Sequence, residues 1–140
     1  MINKENVLAL RNHLAKIYLK GGEDQFTMLR FCEQRDYCKS PCCIAGYAVW
    51  LKSKGEYDFN FNHANNIQDD ATSWLGLDWY QSMDLCHTQY IGDPGGKVRP
   101  KLIHAIDVLH RLAITGKVEW KTNPTIKIKK GVKNETICVK

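Results

Sequence analysis

The run from Cys38 to Leu51, CKSPCCIAGYAVWL, constrains the fold more than any other stretch of the chain. A polar turn gives way there to a segment that is apolar on nearly every side. A helix of that kind belongs in the middle of a packed domain. Its ends are readable as well. Ser40 is a favourable N-cap, Pro41 suits the first helical position where no amide donor is needed, and Gly55 closes the far end. The reading is a buried central helix over residues 40–54, with its sulfur atoms serving as apolar filler.

Further helices flank it. Val7, Leu10, Leu14 and Ile17 recur at helical spacing, predicting a helix from Lys4 to about Lys20, capped by Asn3 and stopped at Gly21-Gly22. Phe26 and Met28 point inward from a short extended stretch. A helix over His63–Leu75 ends at Gly76, and another starts at Asp78, where Asp78 and Gln81 stand at capping-box spacing. Gly92 to Gly96 form a loop, and a helix from about Pro100 to Gly116 carries Leu102, Ile103, Ile106, Leu109 and Ala113. Beyond Gly116 the period changes to alternation, in Val118/Trp120, Ile126/Ile128 and Ile137/Val139, which predicts short strands with a turn over Lys130–Asn134. The predicted architecture is mainly α: a compact bundle of about five helices around the central one, with a small C-terminal β-hairpin or meander. Residues 1–116 form the helical body, and 117–140 a basic β-appendage of the same single domain.

At 140 residues, 44% hydrophobic and 25% charged, the composition is globular, and one domain of this size buries roughly two-thirds of its unfolded surface. The net charge of +5 is uneven: acidic and basic residues balance up to Gly116, and seven lysines stand against Glu119 and Glu135 beyond it. No apolar run has the length of a membrane span, and the N-terminus lacks the apolar core of a secretory signal. The expected location is therefore the cytoplasm, with no membrane partner and with six cysteines as free thiols.

Several residue sets invite chemistry. Cys42 and Cys43 would lie in the first turn of the central helix, where the dipole favours a thiolate. A cysteine-dependent enzyme would pair one of them with a histidine, whereas the bland reading makes both ordinary buried residues. Cys38 with Cys42 or Cys43 offers half of a zinc site, but Cys86 and His87 are adjacent and poorly placed to complete it; Cys32 is a substitute only by fitting. His104, Asp107 and Arg111 share one helix face and read as its solvated side. Gly92, Gly95, Gly96 and Lys97 lack the hydroxyl residue of a phosphate loop, because Val98 stands there. Tyr57, Phe59 and Phe61 place three rings on one side of an extended segment, and Lys121, Lys127, Lys129, Lys130 and Lys133 lie in the tail. Rings and lysines together suit nucleic acid; separately, they are core filler and edge-strand solubilisers. These eight are the candidate binding residues. No catalytic or metal-binding residue is assigned, and no cofactor is expected.

The spacing Cys38-x4-Cys43-Ile44-Ala45-Gly46-Tyr47-Ala48 resembles the Cys-Gly-Thr-x-x-Cys-x-Ala-Gly-His-Ala signature of a family of small proteins from phages and bacterial prophages. Leu75-Gly76-Leu77 and the segment Thr115-Gly116-Lys117-Val118-Glu119-Trp120 are similar to two further landmarks of that family, in the same order. The chain departs at Lys39, where the pattern has glycine, and at Tyr47, where it has histidine. That histidine would have been the natural partner of the cysteines. The resemblance implies a phage-type setting in the host-cell cytoplasm. The leading expectation is a non-catalytic interaction protein that binds a host protein or a small signalling molecule, in the manner of a counter-defence inhibitor. Nucleic-acid binding through the lysine-rich tail and a cysteine-dependent enzyme are the alternatives. A homodimer through Trp120 and the terminal strands is a further expectation.

Overall fold

The computed structural model describes residues 2–26, 28, 43–56, 64–88, 90–92, 98–128 and 137–139. Among them are five α-helices: α1 (Lys4–Leu19), α2 (Ile44–Lys52), α3 (Ala64–Leu75), α4 (Trp79–Cys86) and α5 (Leu102–Thr115). An antiparallel strand pair follows, β1 (Ile126–Ile128) with β2 (Ile137–Val139), in the register Ile126–Val139, Lys127–Cys138 and Ile128–Ile137. The protein is mainly α, as the apolar periodicity predicts. None of its described helices is long and apolar enough to cross a membrane.

Each helix begins and ends for a local reason. The Asn3 side chain accepts the Asn6 amide at the start of α1. At its end Gly21, with φ of 76°, lets its own amide reach Tyr18 O and that of Gly22 reach Ile17 O, satisfying carbonyls that the helix leaves open. The α4 start is a reciprocal capping box: Gln81 N donates to Asp78 Oδ1 at 2.8 Å, and Asp78 N donates to Gln81 Oε1 at 3.0 Å. An Asp78→Ala variant should therefore lose about 1 kcal/mol, read as a lower urea midpoint with unchanged slope.

The central helix begins later than its sequence suggests. Cys43, not Ser40, is the described N-cap: its backbone is extended, with φ of −124° and ψ of 179°, and its sulfur accepts the Gly46 amide at 3.4 Å. An extended residue cannot sit inside the first turn, so Cys43 is placed just outside it. Ser40, Pro41 and Cys42 lie outside the described residues. From Ile44 to Val49 every residue of α2 is buried, while Trp50 and Leu51 are half-buried and Lys52 and Lys54 are exposed. The sequestered rod is thus the N-terminal two-thirds of this helix.

Around it, α2 packs on α3, and α1 on α5. Val7, Leu10 and Leu14 join Leu102, Ile106, Leu109 and Leu112 in one core with Ile44, Val49, Leu75 and Leu85. Phe26 and Met28 are buried in it as expected. Two hydrogen bonds tie the start of α1 to the end of α3: Asn3 N to Leu75 O at 2.8 Å, and Asn6 Nδ2 to Trp74 O at 2.7 Å.

Two sequence expectations for the C-terminal third need correction. Val118 and Trp120 do not form a strand. Their side chains pack on the core from an irregular segment, and the Trp120 indole donates to Asp84 O on α4 at 2.8 Å. The His104, Asp107 and Arg111 face of α5 is also not solvated. His104 and Asp107 are buried, because residues 117–128 fold back over them as a strap. His104 Nδ1 accepts the Lys101 amide at 2.9 Å and its Nε2 donates to Thr122 O at 3.0 Å, so the imidazole proton sits on Nε2. Asp107 accepts the Thr125 amide at 3.1 Å and the Thr125 hydroxyl at 3.0 Å through Oδ1, and Arg111 Nε at 3.2 Å through Oδ2. Arg111 closes the ring by donating to Thr125 Oγ1 at 2.8 Å. The strap delivers Ile126 into the core.

Candidate functional site

Helices α3 and α4 meet at Gly76, and their facing sides enclose a groove of about 490 Å³. Gln68, Asp69 and Thr72 line it from α3, and Trp79, Ser82 and Met83 from α4, with His87 at its end. Positions spaced by three and four share a helix face, so two short helical stretches supply the described lining apart from His87.

The floor is hydrogen-bonded to itself. Gln68 Nε2 donates to Ser82 Oγ at 3.0 Å, and its Oε1 accepts from His87 Nε2 at 2.6 Å. Thr72 Oγ1 donates to Gln68 O at 2.6 Å, which leaves the Ser82 hydroxyl to donate to Thr72 Oγ1 at 2.6 Å. Ser82 is buried, and its hydroxyl is committed to threonine rather than to an imidazole. The floor is therefore a rigid platform, not an activated nucleophile.

The walls differ. Trp79 is 65% exposed and Tyr80 75%, an unusual exposure for two adjacent large rings. They meet edge to face, with centroids 5.2 Å apart at 84°. Asp69 is exposed, and among the described residues it has no ion pair, whereas its neighbour Asp70 lies 3.8 Å from Lys52 Nζ. Among the described residues, no lysine or arginine lines the groove. This is not a local accident: between Lys54 and Lys97 the chain has seven acidic residues and neither lysine nor arginine. That run is the sequence signal for this face. It is invisible when charge is summed over the body, because the residues up to Lys54 and those from Lys97 to Gly116 carry the compensating cations.

The residues singled out from sequence are placed elsewhere. Lys121 and Lys127 are exposed on the strap and on β1. Tyr57, Phe59, Phe61, Lys129, Lys130 and Lys133 lie outside the described residues. Cys43 and Cys86 are buried. Burial pushes the Cys86 thiol up to about 12, with Cys43 adding to the rise and the neighbouring Ser82 hydroxyl opposing it, so at neutral pH it stays protonated. Among the described residues no three histidine, cysteine or acidic side chains converge as metal ligands. Cys32, Cys38 and Cys42 lie outside them.

A second polar contact, between α1 and α5, carries a pH dependence. His110 is buried; its Nδ1 accepts from Arg11 Nη1 at 2.9 Å, and its Nε2 has no hydrogen-bond partner among the described residues. Desolvation holds its pKa below the ordinary 6.5, with Arg11 and Arg111 acting in the same direction and Asp107 against them. His13, near Tyr47, is lowered as well, by burial and then by Lys16 and Lys20. Because the folded value lies below the unfolded one, the unfolded chain takes up protons first. The stability held by neutral His110 is complete above about pH 6.5 and falls as pH drops through that value toward the folded pKa. Urea midpoints should thus decline between pH 7.5 and pH 5. In a His110→Gln variant, whose amide oxygen can still accept from Arg11, that decline should be shallower. An equal decline in both proteins would assign the effect to other groups.

Comparison of the chain with protein-family models, with curated proteins and with solved structures finds no match.

Proposed function

We propose that this chain is a non-catalytic interaction protein that binds a host protein or signalling molecule through the α3–α4 face. The observation that carries this reading is the groove's division of labour. Its polar floor is satisfied internally, and its exposed wall presents an indole and a carboxylate. A rigid floor limits the ordering cost of association, and a solvent-facing tryptophan is the residue type that most often anchors an interface. The phage-type setting implied by the family resemblance makes a component of host defence the expected target class.

The test is affinity capture from host lysate with the full chain and a Trp79→Ala variant side by side. Selective recovery of one protein or extracted small molecule by the parent, and its depletion with the variant, supports the reading. Equal recovery by both proteins overturns it. Recovery of nucleic acid that depends on Lys121 and Lys127 but not on Trp79 would favour the lysine-rich tail instead.

A further inference from the structure

Resting on the interaction reading above, we propose that the α3–α4 groove takes an arginine side chain from a basic segment of a partner protein. The guanidinium would lie on the Trp79 ring, and its charge would face Asp69.

Three observations converge on that chemistry. Gln68, Thr72, Ser82 and the His87 Nε2 proton are already engaged with one another, so the floor adds little polar recognition of its own. What stays available is the Trp79 ring, two-thirds exposed, and the Asp69 carboxylate, which has no ion pair among the described residues. An indole face attracts a cation through its ring quadrupole, and a carboxylate attracts it by charge. An anion would meet Asp69 and, among the described residues, no lysine or arginine in the lining. The wider field has the same sign, since Asp69, Asp70, Asp78 and Asp84 are the only charged residues of the α3–α4 region, apart from any charge on His87. Clefts with one sign of charge concentrate the opposite sign and speed its arrival. Arginine is favoured over lysine because its planar, weakly hydrated guanidinium stacks on an aromatic face while its edge still donates to a carboxylate.

The test titrates synthetic peptides into the full chain and follows the Trp79 indole N–H by two-dimensional NMR, assigned by its disappearance in Trp79→Phe. Three peptides share a glycine-serine frame and carry three arginines, three lysines or three glutamines. The arginine peptide should shift the Trp79 signal saturably and more tightly than the lysine peptide, and the glutamine peptide should leave it in place. Asp69→Asn should weaken arginine binding about fivefold at low salt, and the difference should shrink as salt rises. Trp79→Ala should abolish binding, read in the backbone amides of Gln68–Thr72, with the Trp120 indole unmoved.

Equal binding of the glutamine peptide would overturn the proposal. So would tighter binding of an oligonucleotide at the same signal. Concentration-dependent self-association that is lost in Asp69→Asn would put the lysine-rich tail of a second copy in the groove and overturn a separate arginine partner. If a partner is captured in a Trp79-dependent way but the arginine peptide neither binds nor displaces it, the ligand class is wrong and the interaction reading stands. If neither capture nor peptide binding depends on Trp79, both fall.

Discussion

An Asp107→Ala variant should lose about 3–5 kcal/mol of folding stability, the largest effect expected of any single polar substitution in this protein. The Asp107 side chain is 1% exposed, and it holds three donors at once: the Thr125 amide, the Thr125 hydroxyl and Arg111 Nε. Removing the carboxylate leaves a buried amide without an acceptor. It also leaves a guanidinium, 21% exposed on its side chain, without its counter-charge. Both consequences are costly, whereas the charge pair itself contributes much less than this difference. Because Thr125 directly precedes Ile126, loss of the latch also loosens a core residue. Asp107→Asn keeps one acceptor oxygen for Thr125 and should fall between parent and alanine variant. Asp84→Ala is the control: only its backbone carbonyl is used, by the Trp120 indole and the Thr88 hydroxyl, so the change should stay within about 0.5 kcal/mol. Urea unfolding followed by circular dichroism checks all three. A loss below about 1 kcal/mol for Asp107→Ala would mean that the strap is not latched through α5.

Trp79→Ala should have the opposite profile, with little change in stability and a large change in binding. The ring is mostly in solvent and makes its main described contact with another exposed ring, Tyr80. Truncating it on a helix surface should move folding stability by about 0.5 kcal/mol or less. Against a captured partner it should weaken affinity by about 2 kcal/mol, roughly thirtyfold, as expected when an aromatic anchor is removed. Tyr80→Ala should cost less, because Tyr80 flanks the groove without lining it. Isothermal titration of the two variants, with unfolding curves on the same samples, separates the profiles. A Trp79→Ala protein that is destabilised yet binds normally would make the ring structural.

The helical body was legible because caps and apolar spacing agreed. Asn3, the Asp78–Gln81 pair, Gly76 and Gly116 each fixed a boundary that the structure repeats. The start of α2 was not legible, since Ser40-Pro41 is the stronger cap signature and nothing local shows that the chain is still extended at Cys43. The burial of Asp107 was hidden for a different reason. An acidic and a basic residue four apart look the same on a solvated helix as under a strap. Only the return of Thr125, eighteen residues later, distinguishes them. The alternation of Val118 and Trp120 misled because one apolar side is equally what a strap needs when it packs on a core without a strand partner. The groove was half-legible. Helical spacing puts Trp79, Met83 and Cys86 on one apolar face, whereas Cys86 is buried and Trp79 is exposed, and the facing set on α3 becomes meaningful only once Gly76 folds the two helices together.

The account's central claim is that the α3–α4 face, not the lysine-rich tail, meets the partner. The most direct measurement is a two-dimensional amide and indole NMR spectrum of the full chain, recorded with and without the captured partner. The account predicts shifts confined to Gln68–Thr72, Trp79–Met83 and the Trp79 indole, with Lys121 and Lys127 unmoved. Shifts centred on Lys121 and Lys127, with the Trp79 indole unchanged, would contradict it.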